Sequence, residues 1–217
     1  MSGSRPVNIF TLGKVQVSET FIQSHVDRLP NVVKVSGWPL EPRNIFNLTS
    51  RLAHKLLRAD RKWMQSRIMC ELKNSRCEVV LAEYGHVGAE IVEACSQLSI
   101  PLVVHFHGFD AHQNSHIAEY RERYQRMFRM AVAIVVVSRP MKAALEDIGA
   151  EPDRLHLIHY GVDCQRFTYN DEPQSSLNFL TVGRFTEKKA PHLTIKAFSK
   201  IAGDFPEARL RMIGKDH

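Results

Sequence analysis

The chain has 217 residues, a formal net charge of +6 and an isoelectric point of about 9.3. A hydrophobic fraction of 44% excludes a disordered or low-complexity chain, and the length allows one large domain or one domain and part of a second. The basic balance favours an anionic partner, but we expect no nucleic acid, because no stacking-aromatic motif accompanies the basic residues.

The first 160 residues alternate between short apolar runs and helical patterns. Strands are predicted at 7–13, 31–37, 77–85, 101–106, 131–138 and 154–161, and helices at 18–29, 48–75, 88–98, 116–130 and 140–149. The strands are rich in Val, Ile and Leu with little alternation, which is typical of a parallel sheet buried on both faces. The pattern therefore predicts an α/β fold with a doubly wound, mostly parallel, Rossmann-like sheet.

The last quarter of the chain starts a second pattern of the same kind. Residues 162–176 are irregular and read as a linker, followed by a predicted strand at 177–185, a helix at 191–203 and a strand at 208–214. One βαβ unit cannot bury its own sheet faces. It either packs on the first domain or begins a longer domain, and we favour the second. We place the domains at 1–170 and 171–217.

The spacing of the cysteines and the hydropathy of the chain indicate in which cellular compartment the protein is expected. The four cysteines are scattered and form no C-x-x-C pair, which argues against a zinc knuckle or a redox dithiol and favours a reduced, cytoplasmic protein. The N-terminus lacks the apolar core of a signal peptide, and the longest apolar run, 131–137, is too short to cross a bilayer. We expect a cytoplasmic protein, with peripheral membrane contact as an option.

The sequence "HFHGFDAH" at 105–112 follows a predicted strand and raises the question of a metal site. His105 and His107 point to the same side of an extended strand. An H-x-H strand end occurs in metal-dependent amidohydrolases, but these are barrels of about 250 residues with further ligands on later strands. Here the later strand ends offer only His159 and Asp163. We predict no metal, and keep a metal-dependent hydrolase using His105 and His107 as a minor alternative to buried structural histidines.

Two loops at predicted strand ends suit a polar ligand. After the first strand, Gly13 precedes Ser18, a predicted N-cap, and then Glu19 and Thr20. The free N–H groups of such a helix start can bind an anionic or hydroxyl-rich ligand, although a plain strand–helix turn explains the same residues.

The second loop is "VGRFTEKKAP", at the start of the second domain. Arg184 and Lys189 flank the start of the next helix near Pro191. A guanidinium and an ammonium at this place can clamp a diphosphate, whereas the alternative is a solvated charged face.

Several segments together resemble a known family. "HYGVDCQRF", "FLTVGRFTEKKAPHLTIKAF" and "LRMIG" resemble the interdomain region of retaining glycosyltransferases with two facing Rossmann-like domains, the GT-B architecture. "VSETFI" and "HFHGFD" resemble the colanic-acid and exopolysaccharide branch of these enzymes. The resemblance spans about residues 7–214. It implies an N-terminal acceptor-side domain followed by the start of a donor-binding domain.

The resemblance implies an activity and roles for particular residues. A sugar would pass from a nucleotide-sugar donor to a saccharide or lipid-linked acceptor with retention, and no cofactor is expected. Arg184 and Lys189 match the basic pair on the donor diphosphate, and His107 matches the histidine that faces the transferred sugar, which we class as its catalytic residue. The loop with Gly13, Ser18, Glu19 and Thr20 matches the acceptor side.

Two departures from the family pattern affect these expectations. Many relatives have Gly where this chain has Ala190, next to Lys189. The family's E-x7-E element lies beyond residue 217, so we expect this chain alone to lack most of the donor site and to be inactive.

The basic segment, residues 51–68, predicts a helix with Arg and Lys on one face and Leu, Trp, Met and Ile on the other. Such a helix can lie on an anionic membrane surface, or it can be an ordinary domain helix with its apolar face on the sheet. A non-enzymatic module that binds the acceptor or the membrane therefore stays as the alternative to a glycosyltransferase.

Overall fold

The structure is a computed structural model that describes residues 4–16, 19–40, 61–169 and 177–215. The chain divides into two compact units, Met1–Gly161 and Val162–His217. The division lies nine residues before the boundary expected at 170.

The first unit is built on a six-stranded, entirely parallel sheet in the order β2-β1-β3-β4-β5-β6. Its strands are β1 (Val7–Leu12), β2 (Val32–Trp38), β3 (Val79–Glu83), β4 (Leu102–His105), β5 (Ala133–Val136) and β6 (Leu155–Leu157). All six predicted strands are confirmed. Five are shorter than predicted, and β2 is shifted by one residue toward the C-terminus. Their runs of Val, Ile and Leu are the expected composition of strands covered on both faces.

Six helices of this unit are described. They are α1 (Thr20–Arg28), α2 (Arg61–Ser75), α3 (Gly85–Gln97), α4 (Phe109–His112), α5 (Asn114–Met130) and α6 (Arg139–Glu146), with a 3₁₀ turn at Pro152–Arg154. The short helix α4 is an addition to the sequence prediction, and the 48–60 part of the predicted helix lies outside the described residues. The Ser138 hydroxyl caps α6 by accepting the Met141 N–H at 3.3 Å.

The main hydrophobic core packs helices against the sheet. Ile68 and Leu72 of α2, Ile91 of α3 and Phe128 of α5 are buried with the apolar side chains of the strands. None of the described helices is long and apolar enough to cross a membrane.

The strand order reverses at β1. The chain runs from β1 outward to β2, and then returns to the other side of β1 at β3. In open parallel sheets, ligands bind beyond the carboxyl ends of the strands at such a switch point. The loops that follow β1, β3 and β4 are therefore the places to look for a site.

The second unit holds a two-stranded parallel sheet of β7 (Asn178–Val182) and β8 (Arg209–Ile213), joined through a 3₁₀ turn at Glu187–Lys189 and α7 (Pro191–Ser199). Its apolar side chains are exposed: Leu180 at 63%, Val182 at 71% and Ile195 at 55%. The expectation that one βαβ unit cannot bury its own faces is confirmed for these side chains.

Candidate active site

The site of the first unit centres on a buried carboxylate, Glu83, at the carboxyl end of β3. Its side chain is fully buried, and its two oxygens face two imidazoles. Oε1 lies 2.7 Å from Nδ1 of His25 on α1, and Oε2 lies 2.7 Å from Nε2 of His107 in the loop after β4. Burial acts to raise the pKa of Glu83, but the hydrogen bonds and charges of His107 and His25 outweigh it and lower the pKa to about 2. Glu83 is thus a carboxylate near neutral pH.

His107 is enclosed by aromatic rings. Its side chain is only 1% exposed. Ring centroids of Phe21 and Tyr84 lie 4.6 Å and 4.8 Å away, and the Tyr160 ring stacks nearly parallel at 5.9 Å. The Tyr160 hydroxyl bonds to Nδ1 of His107. Both ring nitrogens of the predicted catalytic histidine are therefore engaged.

Asp110 ties the loops after β3 and β4 together. Its buried carboxyl accepts the backbone N–H of Gly85 at 2.7 Å and of His107 at 2.9 Å. Burial raises the pKa of Asp110, in opposition to these N–H bonds and to the charge of His107. The carboxyl therefore braces the loop after β4 against the loop after β3.

His105 is buried beside this network and is neutral near pH 7. Burial and the charge of His107 lower its pKa to about 3. His25, Glu83 and His105 offer ligand atoms that all lie within 4.8 Å of one another, so these three could hold a metal ion. This set differs from the predicted pair His105 and His107, because His107 is not among the three residues. Both oxygens of Glu83 already bond to imidazoles, which accounts for its burial without a metal.

The loop after β1 is joined to the same network through Glu19. One Glu19 oxygen accepts the Tyr84 hydroxyl at 2.6 Å and the other accepts the Gln16 backbone N–H at 2.7 Å. Glu19 occupies the N-cap position of α1 without a side-chain cap, and Thr20 begins the helix. The prediction that Ser18 is the N-cap is therefore wrong in position, and Ser18 itself lies outside the described residues.

A cavity of about 620 Å³ opens beyond the carboxyl ends of β1 and β2. Gly13, which has a φ of +66°, lies in its wall, where a left-handed turn favours glycine. Lys14, Lys34 and Arg67 make the wall basic, and Glu71 partly offsets this through its bond to Lys34 at 2.6 Å.

In the second unit, Arg184 and Lys189 both lie between β7 and α7 in exposed positions. Ala190 follows with φ 47° and ψ 52° and forms the N-cap of α7. This left-handed conformation favours glycine, which the family resemblance implied at this position.

Residues 13–166, well over half of the chain, match the profile of Glycosyltransferase Family 4. The chain belongs to Glycosyltransferase Family 4. The matched range includes the whole network around Glu83, and it ends before Arg184 and Lys189.

Curated relatives of this family 4 chain act in exopolysaccharide biosynthesis according to their names. WcaL of Salmonella typhimurium, named for glycosyl transfer in colanic acid biosynthesis, is 28% identical over 141 residues, covering 63% of this chain and 35% of WcaL. AmsK of Erwinia amylovora, an amylovoran biosynthesis glycosyltransferase, is 25% identical over 125 residues, covering 55% and 30%. The chain spans about a third of the length of these relatives. The resemblance drawn from the sequence is confirmed.

Solved structures agree on the fold. Anabaena Alr3699/HepE in complex with UDP superposes with a TM-score of 0.72 at 14% identity, covering 98% of this chain and 61% of HepE. The Staphylococcus aureus MnaA–UDP structure gives 0.52 at 10% identity, covering 99% and 63%. The Rossmann-like fold class is confirmed.

Four residues of this site in the family 4 chain were not predicted from its sequence. Glu83, Phe21 and Tyr160 contact His107, and His25 bonds to Glu83. A signal for Glu83 was present. It is the only charged residue in β3, a strand of otherwise apolar side chains, and a carboxylate in such a strand needs a partner. His25 and Phe21 lay within a helix pattern that offered no comparable signal.

Proposed function

We propose that this chain forms the acceptor side and the first part of the donor side of a retaining glycosyltransferase of polysaccharide biosynthesis. The enzyme would transfer a sugar from a nucleotide-sugar donor to a saccharide or lipid-linked acceptor. The family match over 13–166 carries this proposal. The names of the relatives and a buried polar cluster at the switch point of the sheet support it.

Arg184 and Lys189 are proposed to bind the donor diphosphate. As the glycosidic bond breaks, negative charge develops on the leaving phosphate, and fixed cations stabilise that charge. Their exposed positions between β7 and α7 leave both side chains accessible to a ligand.

His107 is proposed to orient the transferred sugar rather than to remove a proton. A front-face substitution needs no protein base, because the leaving phosphate oxygen can take the acceptor proton. Glu83 bonds to Nε2 and Tyr160 bonds to Nδ1, and these two contacts hold the imidazole in one orientation, which supports an orienting role.

The acceptor is proposed to bind on the Gly13 side, in or beside the 620 Å³ cavity. Peripheral contact with an anionic membrane at its cytoplasmic face is a further part of the proposal. Within the described part of the basic segment, Met64 and Ile68 are buried in the core and do not face a membrane. No cofactor is proposed.

Nucleotide binding tests the donor assignment in this chain directly. We expect UDP and inorganic pyrophosphate to shift backbone amide resonances of residues 183–190. The double variant R184A/K189A should abolish these shifts, and K200A, a matched removal of charge at the other end of α7, should retain them. Shifts that survive in R184A/K189A contradict the assignment.

Transfer is expected only from an enzyme with a complete second unit, in which the donor site is whole. The product from an α-linked nucleotide sugar should keep the α configuration in proton NMR spectra. A β-linked product contradicts retention, and binding without transfer or hydrolysis favours the alternative of a non-enzymatic binding module.

A further inference from the structure

Glu83 is a fully buried carboxylate whose two oxygens each face a histidine from another element. A fully buried carboxylate is costly unless hydrogen bonds or charges compensate for it. Here the compensation comes from two other elements, through His25 of α1 and His107 after β4, each at 2.7 Å. Two backbone segments that are 58 and 24 residues away in sequence are thereby held against the end of β3.

The chemistry of this contact fixes the position of a proton. An ionised carboxylate is only an acceptor, and the pKa of Glu83 is low enough for it to stay ionised near neutral pH. Each imidazole nitrogen that bonds to it must therefore carry a hydrogen. This places a hydrogen on Nε2 of His107 and on Nδ1 of His25.

The other nitrogen of His107 then has the opposite character. In the neutral imidazole, Nδ1 is a bare acceptor, and the hydroxyl of Tyr160 is the donor that meets it. Burial is the main cause that raises the pKa of Tyr160, and the charges of Asp110 and Glu83 raise it further. The phenol therefore keeps its hydrogen. Tyr160 is 40% exposed, and its hydroxyl thus marks a direction from which a hydroxyl group can donate to His107.

We propose that Glu83 is a positioning residue that holds His107 in the Nε2–H tautomer, so that Nδ1 accepts a hydrogen bond from a hydroxyl donor. The hydroxyl of Tyr160 occupies this position in the structure, and a sugar hydroxyl takes the same place when ligand binds. The second part rests on the proposed function, whereas the hold of Glu83 on His107 does not.

Nitrogen-15 NMR of histidine side chains in this chain tests the first part. We expect His107, assigned by the signal that disappears in H107Q, to show a protonated Nε2 and an unprotonated Nδ1 in the pH range where the imidazole is neutral. Glu83→Gln replaces two acceptors by one acceptor and one donor, so either His25 or His107 must change tautomer. His25→Gln is the matched control, because an amide donor can still meet Oε1 of Glu83 and His107 should keep its Nε2–H form.

Each outcome of this experiment decides the point. A protonated Nδ1 with a bare Nε2 in the neutral form of wild-type His107, or unchanged tautomers of both histidines in a folded E83Q, overturns the proposal. If E83Q fails to fold, the wild-type and H25Q tautomers still decide it, because both are measured without E83Q.

Kinetics in the enzyme with a complete second unit test the second part. Where E83Q changes the tautomer of His107, it should lower kcat on the order of 10- to 100-fold with little change in KM for the acceptor, as expected when a contact group is misplaced. An unchanged kcat despite an altered His107 tautomer overturns the positioning role. No transfer by the wild-type enzyme, together with the expected tautomers, contradicts the proposed function alone.

Discussion

The stability of the first unit should fall when the pH drops from 7.5 to 5.0, and His105 should account for a measurable part of the loss. The folded-state pKa of His105 is about 3, lowered first by burial and then by the charges of His107 and His25, with Glu83 acting in the opposite direction. In the unfolded chain the pKa is about 6.5. Between these values only the unfolded chain takes up the proton, so the free energy of unfolding decreases as the pH falls.

The size of this effect follows from the two pKa values. At pH 5.0 the unfolded imidazole is about 1.5 pH units below its pKa, which corresponds to about 2 kcal/mol at 1.36 kcal/mol per unit. His86, whose pKa burial and the charge of His116 lower to about 4, adds a loss of similar size. Asp110 acts in the opposite sense, because its pKa is raised and its contribution is lost as the pH rises through that value. Comparison of variants separates these effects.

Urea denaturation followed by tryptophan fluorescence provides the measurement. Both tryptophans, Trp38 and Trp63, lie in the first unit and pack against its core. H105Q should reduce the difference in unfolding free energy between pH 7.5 and 5.0 by about 2 kcal/mol. H156Q, at an exposed position in the same sheet, should keep the wild-type difference. Equal pH dependence in H105Q and wild type would refute the reasoning.

Three further predictions concern packing, backbone and membrane contact. Gly85→Ala should lower the free energy of unfolding by about 1–3 kcal/mol in the same urea assay, because the new Cβ would come within 3.0 Å of three atoms of the buried Phe106 ring. Gly161→Ala is the control and should be neutral, because the space around Gly161 is open. Ala190→Gly should slow amide hydrogen exchange in β7 and β8 by relieving about 1 kcal/mol of left-handed strain, whereas Ala197→Gly inside α7 should speed it. Anionic vesicles should leave the tryptophan emission unshifted, because the described apolar side chains of the basic segment pack in the core; a blue shift would contradict this.

The fold was predictable because the relevant signals are local. Runs such as "PLVVHF" and "AVAIVVVS" identify buried strands by composition alone, and a strand–helix alternation restricts their arrangement to a parallel sheet. Strand ends were less accurate, since β6 is limited to Leu155–Leu157 and β4 stops at His105. The ends of these strands depend on pairing with neighbouring strands, and the local sequence pattern carries no information about that pairing.

The candidate site was predictable only in part. His107 could be singled out from its motif, but the residues that hold it come from separate elements. His25 is 58 residues from Glu83 and Tyr160 is 53 residues from His107, so no spacing rule connects them. Glu19 was predicted to contact an acceptor, yet in the structure it accepts the Tyr84 hydroxyl, and whether it also meets a ligand stays a prediction.

Tyr84 contacts both the loop after β1 and the residues at the end of β4. Its backbone has a φ of +83°, which is uncommon for a residue with a side chain and is retained only where surrounding contacts determine it. Its N–H donates to the His105 carbonyl at 2.8 Å, its hydroxyl donates to Glu19, and its ring packs against His107. The loop after β1 is therefore connected to the loop after β4 through one strained residue at the end of β3. A ligand that displaces Glu19 from Tyr84 would change the support of the His107 ring, which couples the proposed acceptor side to the proposed sugar contact.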